Sequence, residues 1–97
     1  LISLPKSTEL YPNYPNPFNS ETVISYRIED FSTVIIDVFD INGQKIRRLK
    51  NGFHESGVYE IHWDGRNENN ELVSSGLYIC SMVANTKVFT SKLLLMK

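Results

Sequence analysis

Asp64, Asn67, Glu68, Asn69 and Glu71 bring five oxygen-bearing side chains into eight positions. Oxygen ligands at that density suit Ca²⁺, a hard cation. The stretch lacks the alternating acidic spacing and the downstream bidentate glutamate of an EF-hand loop. A solvated turn is therefore the reading the residues favour, with Asp64, Asn67 and Asn69 as the calcium candidates and no other cofactor expected. Zinc is disfavoured, because one cysteine and two distant histidines make a poor ligand set. Nucleophilic catalysis would need a nucleophile, a base within reach and an oxyanion hole. Ser74 and Ser75 lie in a predicted turn and His54 and His62 are available, but none sits in a nucleophile elbow. His62 falls on the outward face of a predicted strand and reads as a solvated histidine. Acid–base hydrolysis needs paired carboxylates across a cleft, which a small β domain rarely has. The expectation is a protein that is not an enzyme and has no catalytic residues.

Three further groups have chemical potential. Cys80 is the single cysteine, so no internal disulfide forms. It lies mid-strand in Tyr78-Ile79-Cys80-Ser81-Met82 and reads as a small buried hydrophobe rather than a reactive thiol, which would need exposure and a cationic neighbour. Lys45, Arg47, Arg48 and Lys50 form a basic cluster. Alternation puts Lys45 with Arg47 on one face of a strand and Arg48 with Lys50 on the other, as on an edge strand guarded by charge. Tyr11, Tyr14 and Phe18 could form an aromatic platform for carbohydrate, but packing on the sheet edge beneath the neighbouring prolines is the plainer reading.

The rest of the chain must position these groups. Ninety-seven residues make one domain with one core. Apolar content of 41% and charged content of 22% are ordinary for a globular chain. A net charge of -1 gives no field for nucleic acid or anionic lipid. No apolar run is long enough to span a bilayer, so direct membrane insertion is not expected. The start, Leu1-Ile2-Ser3-Leu4-Pro5, reads as the continuation of a longer chain, and Leu93 to Lys97 as a native C-terminus. Residues 1–7 read as a linker from an upstream cargo domain and residues 8–97 as the domain.

Pro12, Pro15 and Pro17 fall within six residues. Proline fixes φ and donates no ladder hydrogen bond, so this stretch is neither a central strand nor a helix interior. Thr8 to Tyr11 reads as a short strand before it. Glu21–Ile28 then alternates, with Ile24, Tyr26 and Ile28 on one face. Thr33–Phe39 is rich in β-branched residues, with Val34, Ile36 and Val38 inward and Asp37 outward. Asp40-Ile41-Asn42-Gly43-Gln44 is a hairpin turn, with positive φ expected at Asn42 and Gly43. Lys45–Lys50 returns, and Asn51 to Gly57 reads as a loop. Val58–Trp63, Gly76–Ala84 and Lys87–Met96 complete the set, with Tyr59, Ile61 and Trp63 on one face and Tyr78, Cys80 and Met82 on another. Trp63 and Tyr78 are placed to anchor the contact between two sheets. About seven short strands with regular turn signals predict an all-β, immunoglobulin-like antiparallel β-sandwich.

Five segments stand in order along this pattern. They are Asn13-Tyr14-Pro15-Asn16-Pro17-Phe18-Asn19 with Thr22–Tyr26; Val38–Ile46 around Asp40 and Gly43; Gly57–Arg66 with Trp63-Asp64-Gly65; Ser75-Gly76-Leu77-Tyr78; and Lys92-Leu93-Leu94-Leu95-Met96-Lys97. Together they resemble the C-terminal sorting domain, type A, of the type IX (Por) secretion system of Bacteroidetes. The longer form of that domain is related to the immunoglobulin-like domain of the flagellar hook-capping protein. The resemblance covers residues 10–97. Asn70 departs from it, since many relatives carry glycine in the loop after Trp-Asp-Gly, although asparagine tolerates the left-handed conformation. Cys80 also departs, where an aromatic is common.

The resemblance implies a secretion address rather than an activity. An outer-membrane type IX translocon would recognise the folded domain, and a sortase-like peptidase would then remove it or anchor the cargo. The protein would be periplasmic in transit, then at the cell surface or secreted. Gly76, Tyr78, Lys92, Leu95 and Lys97 are the expected recognition residues, read through the edge of the final strand by β-augmentation. Asn13, Pro15, Asn16, Pro17, Phe18, Asp40, Gly43, Trp63, Asp64 and Gly65 are the expected structural residues. Cleavage is expected within Leu1–Ser7. The alternative is a non-catalytic accessory module, a spacer or carbohydrate-binding domain of a secreted bacterial enzyme. A hook-cap fragment is disfavoured by Lys92–Lys97.

Overall fold

A computed structural model of the protein describes residues 7–97. Except for Ser7, the predicted linker and cleavage stretch lie outside the described residues. Seven strands follow one another: β1 (Glu9–Leu10), β2 (Thr22–Ile28), β3 (Ser32–Asp40), β4 (Lys45–His54), β5 (Gly57–Trp63), β6 (Gly76–Ala84) and β7 (Lys87–Leu95). All strand pairings are antiparallel, in one sheet of order β1-β2-β5 and a second of order β4-β3-β6-β7. The two sheets pack face to face as the predicted sandwich.

The core follows from the period of two in each strand, which sends alternate side chains to one face. Ile24, Tyr26 and Ile28 come from β2, Val34, Ile36 and Val38 from β3, Cys80 and Met82 from β6, and Leu93 and Leu95 from β7; all are buried. Trp63 of β5 meets Tyr78 of β6 edge-on at 5.2 Å, joining the two sheets as expected. Fully burying such a side chain contributes roughly 1.5–3 kcal/mol.

Four sequence expectations need correction. The return strand does not end at Lys50. It runs on to His54, because Asn51, Gly52, Phe53 and His54 pair with Ile35, Val34, Thr33 and Ser32. Strict alternation in β4 also fails, since its register against β3 shifts between Ile36 and Asp37 and again between Val38 and Phe39. Those bulges let Ile46 and Leu49, three residues apart, both pack on the core. Within the hairpin only Gly43 takes a positive φ, of 81°. Its amide donates to the Asp40 carbonyl, and the Asp40 amide donates to the Gln44 carbonyl, closing the hairpin over Asp40–Gln44. Asp37 does point away from the core, yet it is only 8% exposed, because Arg48 lies over it.

Candidate functional site

The first, third and fourth of the five sequence segments meet the fifth at one end of the sandwich, around the last residues of β7, whereas Val38–Ile46 pairs with β4 and β6. Phe18 is the hinge of this arrangement. It is 2% exposed and its ring lies 5.6 Å from Trp63, tilted by 58°. Its amide donates to the Leu94 carbonyl and its carbonyl accepts from the Met96 amide, each at 2.9 Å. Two residues earlier, the Asn16 side chain accepts from the Leu94 amide at 3.1 Å and donates to the Lys92 carbonyl at 3.4 Å. Asn16 and Phe18 thus occupy the outer edge of β7 from Lys92 to Met96. At Val88 and Thr90 that edge has no such cover among the described residues. The recognition edge expected from sequence is therefore half masked by the chain itself.

Polar contacts hold the segment that carries this clasp. Asn13 and Thr22 are both buried and joined at 2.9 Å, and the Thr22 hydroxyl donates to the Pro15 carbonyl at 2.9 Å. Tyr14 and Val23 exchange backbone hydrogen bonds. The peptides before Pro15 and Pro17 are both cis. The aromatics of this stretch do not form one platform: Phe18 is core, Tyr11 lies beneath Arg27, and Tyr14 is 79% exposed. Against the expectation of packing on the sheet edge, Phe18 packs in the core on Trp63 and Tyr14 is left exposed.

Trp63-Asp64-Gly65 turns the chain beside the same strand. The Trp63 indole donates to the Arg66 carbonyl at 3.0 Å, and Asp64 accepts from the Arg66 amide at 3.1 Å. Gly65 has φ of 72°, and a Cβ there would meet the Leu95 side chain at 3.6 Å. Glycine is needed for the left-handed backbone rather than for space. Asn70 also takes the left-handed conformation, at φ 62°, so the departure at this position keeps the turn.

Of the expected recognition residues, Tyr78 and Leu95 are core. The Tyr78 hydroxyl donates to the Ser74 carbonyl at 2.6 Å, which fixes the segment before β6. Gly76 opens β6 at a φ of 154°, a backbone conformation that favours glycine, with open space around it. Lys92 and Lys97 are exposed. The Lys97 amide donates to the Ser75 hydroxyl at 3.0 Å, and its ammonium to the Val73 carbonyl. The chain end is thereby tied to the Ser75–Tyr78 segment.

The calcium candidates are engaged in the turn. Asn67 accepts from the Asn69 and Glu71 amides, and Asp64 lies near Arg47 and Arg66. Among the described residues, no group of three or more His, Cys, Asp or Glu side chains is placed to hold a metal ion. Glu68 has a role that the sequence did not suggest. Its carboxylate accepts from the Arg48 amide at 2.8 Å and its own amide donates to the Ile46 carbonyl, so this loop covers part of the outer edge of β4. Asp40 accepts from the Asn42 and Gln44 amides and shapes its turn.

The histidines separate. His62 is exposed and lies 2.7 Å from Glu21. His54 is buried, 2.7 Å from the Tyr26 hydroxyl and edge-on to Tyr59 at 4.6 Å, and so ties β4 to the facing sheet. Burial, with Tyr59 adding to it, pushes the Tyr26 hydroxyl up to about 12. Burial, with Asp37 adding to it, pushes the Cys80 thiol up to about 12, which keeps it protonated and inert.

This clasped sandwich has known counterparts. Residues 17–87 match the family model of the FlgD Ig-like domain. The chain belongs to that family. No curated protein matches the sequence of this FlgD Ig-like domain. Its fold is similar to part of dimeric latent PorU from Porphyromonas gingivalis, with a TM-score of 0.77 and 16% identity over 92% of this chain and 9% of that one. It is also similar to part of PorZ, a surface component of the type IX secretion system of the same organism, with a TM-score of 0.61 and 18% identity over 93% of this chain and 11% of that one. A third likeness is to the alkylpurine DNA glycosylase AlkC of Pseudomonas fluorescens, with a TM-score of 0.57 and 14% identity over 93% of this chain and 30% of that one. The FlgD Ig-like domain thus spans less than a third of each of these proteins.

Proposed function

We propose that this domain is a sorting signal of the type IX secretion system. The outer-membrane translocon recognises it on an upstream cargo domain of the same chain, and a sortase-like peptidase then cleaves it or anchors the cargo at the surface. The observation that carries this reading is the meeting of three earlier segments with the fifth at the end of β7. Asn16, Phe18, Ser75 and Val73 bond to residues between Lys92 and Lys97, and Gly65 turns the chain beside Leu95. A domain whose most distinctive residues present one strand end suits a role in being read there. The fold shared with parts of PorU and PorZ supports the association with type IX secretion. In this role the protein is the substrate of the machinery, and nucleic acid and direct membrane insertion have no part in it.

Burial decides which variants test the reading. Leu95 is core, so deleting the strand end would confuse loss of fold with loss of recognition. Lys92→Ala and Lys97→Ala change exposed side chains instead. The chain is fused behind a periplasmic signal peptide and a fluorescent protein, in a host with an active type IX system and in a translocon mutant. Surface or medium fluorescence should appear in the first host and vanish in the second, and the double lysine variant should lower it while keeping the melting temperature. Periplasmic retention of a folded fusion in both hosts would refute the proposal. That outcome would favour a non-catalytic accessory module, the reading that a similar domain within a DNA glycosylase supports.

A further inference from the structure

The outer face of the β4-β3-β6-β7 sheet does not look like a surface that meets water. Side chains two apart share a face, and the register sets them in cross-strand rows. One row runs Ile35, Val83, Val88. Another contains Phe39 and Ile79, and Leu77 pairs with Leu94 below it. Above the first row, Phe31 and Phe53 stack at 5.4 Å, 63% and 72% exposed. Between the apolar rows lies one polar belt, in which Arg48 holds both oxygens of Asp37, at 2.9 and 3.2 Å, beside Ser81 and Thr90. An antiparallel sheet with one solvated face ordinarily alternates apolar inward with polar outward. Here both faces of β3 and β6 are largely apolar. Contiguous exposed apolar surface of this kind marks an interaction site.

We propose that this face is the interface of a symmetric homodimer, two copies of the chain packed sheet on sheet. The register makes the face self-complementary. A two-fold axis running along the strands between β3 and β6 sets Val83 against the partner's Ile35 and Ile79 against the partner's Phe39. The same operation sets Ser81 and Thr90 opposite the partner's Asp37 and Arg48, hydroxyls facing an ion pair, so the one polar belt meets its own complement. The buried carboxylate is already neutralised by Arg48, which spares the interface an unpaired charge. Lys45 and Lys92, which form no ion pair among the described residues, fall at opposite rims of the face, where solvent reaches them. The same operation sets Lys45 opposite the partner's Lys92, so repulsion weakens the dimer at low salt.

The area is adequate. Four strands spaced about 4.8 Å apart, each nine residues or so at about 3.3 Å per residue, project roughly 570 Å². Corrugation by side chains raises the accessible area towards the ~800 Å² that each partner gives to an ordinary interface. Apolar surface without deep anchors suits micromolar rather than nanomolar association. Aligned packing of the two outer faces at about 30° repeats the geometry that sheets adopt inside a sandwich.

Sedimentation velocity of the full 97-residue chain tests this directly. The sedimentation coefficient should rise from that of a monomer to that of a dimer between low and high micromolar concentration, and added salt should strengthen the dimer. Val83→Lys and Ile79→Lys should each hold the chain monomeric with an unchanged melting temperature. If either substitution disturbs the fold, Val88→Lys decides, because that side chain is 63% exposed on an edge strand. A wild-type chain that stays monomeric throughout, a dimer that survives these substitutions, or assembly beyond a dimer would each overturn the proposal. None of these outcomes depends on the sorting role.

Discussion

Three residues show how a single side chain is decided by its neighbours. Cys80 is held protonated by burial first and by Asp37 second, with its thiol pushed up to about 12. An unfolded thiol ionises near its ordinary value of about 8.5. The folded state therefore binds the proton more tightly, so this contribution is intact below about pH 8.5 and is lost as pH rises towards 12. The native chain should resist a thiol reagent at neutral pH, reacting only when denatured, and Cys80→Val should flatten the alkaline fall in melting temperature. Asp37 presents the opposite case, a nearly buried carboxylate paired with one guanidinium. Arg48→Ala strips that partner from a nearly buried acid and should cost about 1–3 kcal/mol in urea denaturation, less than a fully enclosed pair because Arg48 is partly exposed. Asn70 sits at φ 62°. Asn70→Ala should cost about 1 kcal/mol and Asn70→Gly should not destabilise, read by the same denaturation.

At the scale of elements, the clasp of Asn16 and Phe18 over β7 substitutes for a missing neighbour strand. Exposed edges invite pairing with other chains, and a short self-supplied cover limits that. Asn16→Ala removes both side-chain contacts to β7. Amide exchange at Leu94 should quicken, while exchange in β3, at the centre of its sheet, stays slow. Phe18→Ala also opens a cavity against Trp63 and should cost roughly 3–5 kcal/mol. The clasp was only partly legible in the sequence. Clustered prolines announced an irregular entrance to the domain, but nothing local says that Asn16 reaches a strand 76 positions away. Strands were legible wherever one face is apolar, as in β2, β5 and β6. The reading failed in β4, where Asn51 and Gly52 look like a loop and pairing with β3 overrides their poor strand propensity. Buried His54 was missed for the same reason, because its burial depends on Tyr26 and Tyr59 in the facing sheet. Glu68 looked like part of an ion-binding loop, and only the third dimension shows it bonding the edge of β4.

For the molecule as a whole, the core is closed by its last strand. Leu93 and Leu95 are buried in one core cluster with residues of β2, β5 and β6, and a side chain at Gly65 would meet Leu95. Deleting residues 93–97 should abolish the cooperative thermal transition followed by circular dichroism, rather than leave a folded domain lacking a tail. The contact of Phe18 with Leu94 and Met96 also has a temporal meaning. An early residue completes its backbone hydrogen bonds only after nearly the whole domain exists, which makes this a topology of high contact order and slow folding, in milliseconds to seconds. During synthesis, at roughly 5–20 residues per second, Trp63 is available to the ring of Phe18 before Leu94 and Met96 are available to its backbone. The two halves of the clasp are therefore separated in time, and its backbone half is the last part of the sandwich that can close.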